Sequence, residues 1–403
     1  MKERKSEIKH YGRKTMVGLL LLLSLVSHAQ DMTPLPTLAD GVIDTTQHET
    51  LGLTVSEGVK TYTVFNPTDE TDHYANGVVI GAFKDKLCCM WQSSPRDEDS
   101  DDTWVAYSRS TDGGQTWSKP DTLAWTTDNY YCTSGGWLVC GDTLTAFIDT
   151  WEKGLEPRGG CTYYIYSTDG ENWSQMKAVR MADGSPMEGV LEQDPRPLPN
   201  GRIIGAVHFM PGLHINPVYT DDPTGKSGWH RPSFESEDRG KQSRELEPSQ
   251  YLQPNGNIVM LFRDQGSSFR ILASISKDRG ESWTKPTKTN IPDARTKQCA
   301  GNLPDGTAFM VCCPSNSKWR WPLVLMLSQN GVTFNRALLL RSGMPDDLPV
   351  RKYDGRYKTL GFSYPKAIVS NGNLYIGYSV NKEAVSCTVI PLDKLLNDNQ
   401  DKH

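Results

Sequence analysis

Polar and titratable side chains recur at one spacing along the chain, about eight residues before each of six tight turns. They include carboxylates, a histidine, a lysine, an arginine and a phenol, which are groups suited to proton transfer and to holding an ionic ligand. A channel packed only for stability would more often present small or apolar residues at such positions. If the six segments meet, they form a ligand site, built from Asn76 with nearby His73, Thr133, Glu192 with Asp194 and Arg196, Glu247, Lys297, and Tyr364.

The six tight turns also predict the elements that would bring these side chains together. Each turn is followed by an apolar, alternating run such as NIVMLF or NLYIGY. Asn-Gly and Asp-Gly between β-rich runs are strong hairpin signals, because both central residues of a type I′ turn need positive φ. We therefore expect six β-hairpins, with their turns at Asp85-Lys86, Gly141-Asp142, Asn200-Gly201, Asn255-Gly256, Asp305-Gly306 and Asn371-Gly372.

A second repeated motif sets the number of units. The box Ser-x-Asp-x-Gly-x-x-Trp occurs at 110–117 and 276–283, a version one residue shorter at 167–173, and weaker copies begin at 220 and 328. With a sixth unit marked by the strand that ends at Ser379, the intervals are 57, 53, 56, 52 and 51 residues. Six such units predict an all-β fold, a six-bladed β-propeller of four-stranded antiparallel blades. We interpret the box residues as turn and packing residues and assign none of them to catalysis.

The boxes and the segments between them resemble the sialidase (neuraminidase) superfamily over nearly the whole chain after the first thirty residues. That resemblance implies a six-bladed propeller in which arginines hold the substrate carboxylate and a glutamate activates a tyrosine nucleophile. The segment ELEPSQYLQPNGNIVMLFRD resembles the family's Glu-to-Arg strand pair, which gives Glu247 as the base and Arg263 as a carboxylate-binding arginine. By the same resemblance, Arg320 in KWRWPLVLMLSQNG is a second arginine and Tyr364 in FSYPKAIVSNGNLYIGYS is the nucleophile.

The chemistry of these residue types is consistent with the implied roles. A tyrosine, with a pKa of about 10, is a weak nucleophile until a neighbouring carboxylate takes its proton. A guanidinium is always charged and binds a carboxylate through paired hydrogen bonds. The expected catalytic pair is Tyr364 and Glu247. The expected substrate-binding residues are Arg263, Arg320, Arg196, Lys297 and Asp194.

The sequence departs from the family pattern in two places. Ala75 replaces the first of three arginines in His73-Tyr74-Ala75-Asn76, and His73 is a candidate acid or base there. The acid/base loop is matched only loosely, by SSPRDEDSDDTWVAYSRS. Asp101 is our candidate in that loop, with Asp97, Asp99 and Asp102 as alternatives. The loop lacks the glycine and spacing of a known Ca²⁺ loop, and we expect neither a metal nor a cofactor.

Composition and the terminal segments bound the remaining features. The 403 residues carry a net charge of −5, which argues against a nucleic-acid partner. A basic lead, the apolar run from Met16 to Val26 and the small residues Ser27 and Ala29 predict a signal peptide over 1–29, and the run is too short to span a membrane. We expect a lead segment at 30–60, the propeller at 61–396 and a polar tail at 397–403, in an exported protein that is periplasmic or secreted. The nine cysteines match no zinc pattern, and we expect most of them to be buried.

Three functional hypotheses follow, and in all of them the partner is a glycan. The first is an exported exo-glycosidase that removes a terminal acidic sugar of the sialic-acid type, with retention of configuration through a tyrosyl intermediate. The second is hydrolysis or β-elimination of another acidic polysaccharide, uronic-acid or rhamnose-bearing, by His73 and Tyr364, because loss of the first arginine weakens binding of a carboxylate at the anomeric carbon. The third is a propeller that binds glycans without cleaving them.

Overall fold

The structure is a computed structural model that describes residues 34–396, without the side chains of residues 192 and 193. The signal peptide expected at 1–29 and the polar tail expected at 397–403 lie outside the described residues. The described chain starts with two strands, β1 (Thr37–Leu38) and β2 (Lys60–Phe65), and ends with a short helix, α1 (Leu392–Leu396). Between them lie six antiparallel sheets, which are the blades of a propeller.

The blades follow one another in chain order. Blade 1 comprises β3 (Tyr74–Phe83), β4 (Lys86–Ser94), β5 (Trp104–Ser110) and β6 (Asp121–Ala124), and blade 2 comprises β7 (Tyr130–Cys140), β8 (Thr143–Glu152), β9 (Gly160–Ser167) and β10 (Lys177–Ala178). Blade 3 comprises β11 (Gly189–Pro197), β12 (Ile203–Phe209) and β13 (His214–Thr220), and blade 4 comprises β14 (Glu245–Leu252), β15 (Ile258–Asp264), β16 (Arg270–Ser276) and β17 (Thr287–Pro292). Blade 5 comprises β18 (Cys299–Asn302), β19 (Ala308–Cys312), β20 (Leu323–Ser328) and, after the separate β21 (Thr333–Phe334), β22 (Arg336–Arg341). Blade 6 comprises β23 (Phe362–Ser370), β24 (Asn373–Val380), β25 (Ala384–Pro391) and β2.

This architecture confirms the prediction of a six-bladed, antiparallel, all-β propeller. The predicted tight turns join the first two strands of each blade, and at Asn371-Gly372 both residues have positive φ, 45° and 73°. Blade 3 differs in detail from the four-stranded expectation. It has three paired strands, and one bridge between Tyr219 and His230 stands where its outer strand would be.

The two strands that precede blade 1, β1 and β2, pair with strands from later parts of the chain. β2 precedes blade 1 in sequence but pairs with β25 as the outer strand of blade 6, with Thr61 opposite Thr388. This shared blade ties the first and last units together, which is how a closed ring avoids open strand edges. β1 pairs in parallel with β21, and the Asn290 side chain bonds both the N–H and the C=O of Leu38, at 2.8 and 2.9 Å. The lead segment is therefore held by blades 4 and 5.

The apolar core consists of layers between neighbouring blades. In β4, Cys88 and Met90 pack with Ile148 of blade 2, whereas Cys89 and Trp91 pack with Tyr375 of blade 6. The alternation follows from the pleat, which points consecutive side chains to opposite faces of a strand.

All nine cysteines are free and seven are buried, as expected for small apolar residues. Each fully buried large side chain stabilises the ring by ~1.5–3 kcal/mol.

The boxes are turn devices, in agreement with the sequence interpretation. In the first, the Asp112 carboxylate accepts hydrogen bonds from the amides of Gln115 and Thr116, both at 3.0 Å, and the Trp117 indole donates to the carbonyl of Gly114 at 2.9 Å. Gly114 has φ 86°, a conformation that side-chain-bearing residues avoid. Hydrogen bonds from Thr116 lower the pKa of Asp112 to about 2. The box carboxylates are therefore engaged in their own turns.

Candidate active site

A cavity of about 680 Å³ opens on the face of the ring where the inner strands begin. Each blade contributes a lining residue at or just before its inner strand: Gly77, Thr133, Leu191, Glu247, Lys297 and Tyr364. The lining carries seven Lys and Arg against five Asp and Glu, a formal excess of two positive charges. In a chain whose net charge is −5, this cavity is a local positive site suited to an anionic ligand.

Two lining residues have an unusual backbone. Glu247 has φ 50° and Tyr364 has φ 55°, in the left-handed region that bulky residues rarely adopt. Each lies at a register shift, between Leu246 and Ser249 in β14 and between Ser363 and Lys366 in β23. Such bulges re-aim a side chain, and a left-handed non-glycine residue costs about 1–3 kcal/mol. At these bulges the side chains of Glu247 and Tyr364 both line the cavity.

The two re-aimed side chains meet each other. The Tyr364 hydroxyl donates a hydrogen bond to one oxygen of the Glu247 carboxylate, and the other oxygen accepts one from Arg263 Nη1 at 2.9 Å. Burial, together with the Glu247 charge, raises the pKa of Tyr364 well above its usual value, although Arg263 opposes this. The phenol is therefore neutral, and Glu247 is in place to take its proton. Arg263, which we expect to bind substrate, lines the cavity, and its Nη2 donates to Gln265 at 3.0 Å.

Three further cations surround the Tyr364 ring. Arg320 Cζ lies 5.5 Å from the ring centroid, and the Nζ atoms of Lys297 and Lys382 each lie 5.8 Å from it. Arg320 Nη1 also donates to the Ser363 hydroxyl at 2.8 Å. Among the ion pairs of residues 34–396, Arg320 has no carboxylate partner, so its remaining donors can turn to a ligand.

Lys382 and Glu98 occupy the corner where the expected first arginine is missing. Glu98 accepts hydrogen bonds from Tyr74 Oη at 3.1 Å and Asn76 Nδ2 at 3.3 Å, and it forms an ion pair with Lys382. Ala75 itself is buried in the apolar layer towards blade 6, and its N–H donates to the Lys382 carbonyl at 3.0 Å. Neither Lys382 nor Glu98 was predicted from the sequence as a site residue. The only signal for Lys382 is its place in the turn between β24 and β25, on the cavity face.

The loop with the expected acid/base residue places Asp99, not Asp101, on the cavity. Asp99 lines the cavity and pairs with Arg158 at 2.6 Å. Asp101 and Asp102 are exposed because the chain turns there, with the Thr103 N–H donating to the Ser100 carbonyl at 2.9 Å. The assignment of Asp101 is corrected accordingly, and Asp97 instead accepts from the Arg356 N–H at 2.7 Å.

Three other expected site residues lie away from the cavity lining. The His73 ring stacks on Tyr353, with centroids 3.8 Å apart, and its Nε2 lies 3.1 Å from the Thr68 carbonyl, because His73 precedes β3 at the ring surface. Asp194 and Arg196 come two and four residues after Glu192 along β11, and are therefore deeper in the ring. Asp194 pairs with Lys366 of blade 6 at 3.0 Å. Arg196 donates to the backbone carbonyls of Gln250 and Ala300, which fits a role in holding blades together.

The strand end that carries Arg263 is anchored by its neighbour Asp264. Arg244 makes a bidentate pair with this carboxylate, at 2.8 and 2.9 Å, and Asp264 is 1% exposed. Burial alone would raise the pKa of Asp264, but hydrogen bonds from Arg244, Ser268 and Gly266 outweigh it and lower the pKa to about 2. The folded state thus binds this proton less readily than the unfolded chain.

Asp264→Asn is therefore expected to lower the free energy of unfolding by about 2 kcal/mol at pH 7. A depressed carboxyl pKa stabilises the fold above the unfolded value of 3.8, and this stabilisation is lost as the pH falls through about 2. Urea unfolding at several pH values should show the wild-type advantage shrinking between these limits. Asp85→Asn, in an exposed turn, is the control and should change little. An advantage that does not depend on pH would contradict the ion-pair explanation.

Across 34–396, no group of three or more His, Cys, Asp or Glu side chains is arranged to hold a metal ion. No helix in that range is long and apolar enough to cross a bilayer.

Comparison with known proteins identifies the family. A family model described as a BNR repeat-like domain matches residues 85–376. No curated protein matches the sequence. Among solved structures, the chain is similar to a sialidase, at 17% identity and a TM-score of 0.62 over 89% of this chain, but it spans only 35% of that protein. It is also similar to the intramolecular trans-sialidase from Ruminococcus gnavus, at 14% identity, TM-score 0.61, 83% of this chain and 98% of that one.

The Trypanosoma rangeli sialidase is a third similar structure, at 14% identity and a TM-score of 0.63, over 85% of this chain and 61% of that one. At these identities the likeness establishes a shared fold. The family match covers most of the chain, and the six blades, the boxes and the structural neighbours agree with it. The chain therefore belongs to the BNR repeat-like domain family.

Proposed function

We propose that the protein is an exo-glycosidase that hydrolyses a terminal acidic sugar, of the sialic-acid type, from glycans. The observation that carries this proposal is the contact between the Tyr364 hydroxyl and the Glu247 carboxylate inside a cavity with excess positive charge. A phenol next to a carboxylate can become a nucleophile, and a neutral phenol meets no repulsion from an anionic sugar. Tyrosine nucleophiles are a recognised exception to two-carboxylate glycosidase chemistry.

In the proposed reaction Glu247 takes the phenol proton while Tyr364 Oη attacks the anomeric carbon. The bond to the leaving group breaks, and the leaving oxygen receives a proton from the loop at 97–102, in which Asp99 lines the cavity. The loop carboxylate that gave up its proton then takes one from water as the water oxygen attacks the anomeric carbon, the bond to Tyr364 breaks, and Glu247 returns its proton to the phenolate. Two displacements at one carbon retain its configuration.

The charges around Tyr364 have separate roles in this proposal. Arg263 orients the Glu247 carboxylate through the 2.9 Å contact and keeps it from rotating away from the phenol. Arg320, with Ser363 as its partner, offers its other guanidinium donors to the carboxylate of the sugar. Lys297 adds a further positive charge, with its Nζ 5.8 Å from the centroid of the Tyr364 phenol ring.

Hydrolysis of a fluorogenic sialoside, followed by NMR, tests the proposal. The expected result is turnover with the α-anomer of the free sugar as the first product. Arg320→Met should raise KM about tenfold or more, because a guanidinium that grips a carboxylate contributes at least ~1.4 kcal/mol. Appearance of the β-anomer first would exclude a tyrosyl intermediate.

The ion pair between Lys382 and Glu98, near Ala75, favours a second candidate function, which is action on a uronic-acid polysaccharide. There the positive charge of Lys382 is balanced by Glu98, so one side of the cavity offers less to a carboxylate on the anomeric carbon. In this case Tyr364 acts on a sugar whose carboxylate is carried elsewhere. A panel of uronans tests it: new reducing ends indicate hydrolysis, and absorbance from unsaturated products indicates elimination. Binding of a glycan that is recovered uncleaved would instead favour a carbohydrate-binding propeller.

A further inference from the structure

A second cleft, of about 450 Å³, lies at the outer edge of the ring between blades 2 and 3. We call it the outer cleft, and its walls are Tyr164 of β9, the two residues of β10, Arg180, and the turn after β13. None of these residues lines the cavity around Tyr364. The outer cleft is therefore a separate feature of the surface.

The sequence explains why a gap is left between the outer strands of blades 2 and 3. β10, the outer strand of blade 2, has only two residues, and blade 3 has a single bridge in place of an outer strand. The turn after β13 is also the longest variant of the repeated box, because TDDPTGKSGW spans 220–229, whereas the first box spans 110–117. The longer turn inserts Lys226 into the space that the short strands leave.

The outer cleft is electropositive. Three cations line it, Lys177, Arg180 and Lys226, against one carboxylate, that of Asp222. Asp222 is already engaged in its own turn, where its oxygens accept from the N–H of Thr224 at 3.0 Å, the Thr224 hydroxyl at 2.8 Å, the N–H of Ser227 at 3.1 Å and the Ser227 hydroxyl at 2.7 Å. The Asp222 oxygens are thus occupied by donors of their own turn, and the three cations outnumber this single carboxylate in the lining.

Lys226 is partly buried in the outer cleft, where burial disfavours its charged form. Its Nζ lies 4.5 Å from the Tyr166 ring centroid and 5.4 Å from that of Tyr164, so two aromatic rings fix the side chain in place. Burial lowers the pKa of Lys226, and the like charge of Lys177 lowers it further, although Asp222 opposes both. Clustered cations in a partly buried recess are stabilised by an anion that bridges them.

We propose that the outer cleft is a second glycan-binding site, which holds an oxyanion of an acidic polysaccharide between Lys177 and Lys226. The carboxylate of a uronic acid and the sulfate of a sulfated sugar share this chemistry. The adjacent rings of Tyr164 and Tyr166 provide apolar surface for the sugar that carries the anion. Such a site retains the protein on a polymer while the cavity around Tyr364 acts on chain ends.

Native gel electrophoresis with polysaccharide embedded in the gel tests this proposal. Wild type should be retarded by polygalacturonate, by dextran sulfate or by both, but not by neutral dextran, and the two charged polymers distinguish carboxylate from sulfate. The double variant Lys177→Gln/Lys226→Gln should weaken the apparent affinity about tenfold. Lys60→Gln/Lys288→Gln, which removes the same charge from exposed outer strands, is the matched control and should bind as wild type does.

The cavity variant Arg320→Met separates the outer cleft from the site of the proposed function. Retardation that Arg320→Met leaves intact supports the outer cleft, whether or not the protein cleaves any substrate. Three results would overturn the proposal: no retardation of the wild type, an equal loss in the control pair, or a loss only in Arg320→Met. Thermal unfolding of each variant verifies that a lost interaction is not a lost fold.

Discussion

Tyr364→Phe is expected to lower kcat/KM on an acidic aryl glycoside by roughly 10³-fold or more, equivalent to ~4 kcal/mol of activation free energy. The substitution removes the phenol oxygen that contacts Glu247 and leaves the aromatic ring near which Arg320, Lys297 and Lys382 lie. Because those cations remain, the effect should fall on kcat, with substrate affinity nearly unchanged. Initial rates over a range of substrate concentrations measure the two parameters separately.

The control for this prediction is Tyr375→Phe, which removes a hydroxyl from the same blade on β24, outside the cavity lining. It should keep full activity. Equal turnover by Tyr364→Phe and wild type would remove Tyr364 from the mechanism. A large rise in KM with unchanged kcat would show that the phenol binds substrate and does not form a covalent intermediate.

Lys382→Met is expected to lower the free energy of unfolding by about 3–5 kcal/mol. The Lys382 side chain is 3% exposed and its partner Glu98 is 14% exposed, so the substitution leaves a carboxylate confined without its counter-charge. Burial lowers the pKa of Lys382, and the Glu98 charge opposes that shift. The charged form of each side chain is therefore stabilised by the presence of the other. Urea unfolding at pH 7 measures the loss.

The double variant Lys382→Met/Glu98→Gln distinguishes a lost ion pair from lost packing. Removing both charges should recover most of the stability, because a neutral amide is far less costly to bury than an unpaired carboxylate. Lys241→Met is a matched control, since its pair with Glu156 is 76% and 68% exposed and, screened by solvent, should contribute little to stability. If the double variant is no more stable than Lys382→Met, the charge pair is not the source of the loss.

Much of the fold could be predicted from the sequence because its signals are local. A box needs an aspartate that accepts amide hydrogen bonds and a glycine with positive φ, and both requirements are met within one turn, as at Asp112 and Gly114. The hairpin turns are equally local. Counting such signals gave the six blades, and the regular spacing placed Glu247, Lys297 and Tyr364 at equivalent positions around the axis.

The remaining parts of the site depended on contacts that no local pattern encodes. Lys382 and Glu98 are 284 residues apart in sequence and meet only because the ring closes blade 6 onto blade 1. The choice of Asp99 over Asp101 rests on the turn at Ser100 and on Arg158, a residue of the next blade. His73, beside a motif position, precedes β3 at the surface, where the ring of Tyr353 from a distant loop stacks on it.

The sequence by itself determined the blade number and the strand pattern, since both depend on residue types at fixed spacing, whereas the pairing of Tyr364 with Glu247 was implied by the family resemblance. The tertiary structure decided which charges face the cavity and which are consumed in structural contacts. Arg196 and Asp194 have the same residue types as site residues, yet they hold blades together, because their depth along β11 sets their partners. The sequence sets the chemical type of each side chain, whereas the exposure and the neighbours of that side chain depend on how the closed ring brings distant segments together.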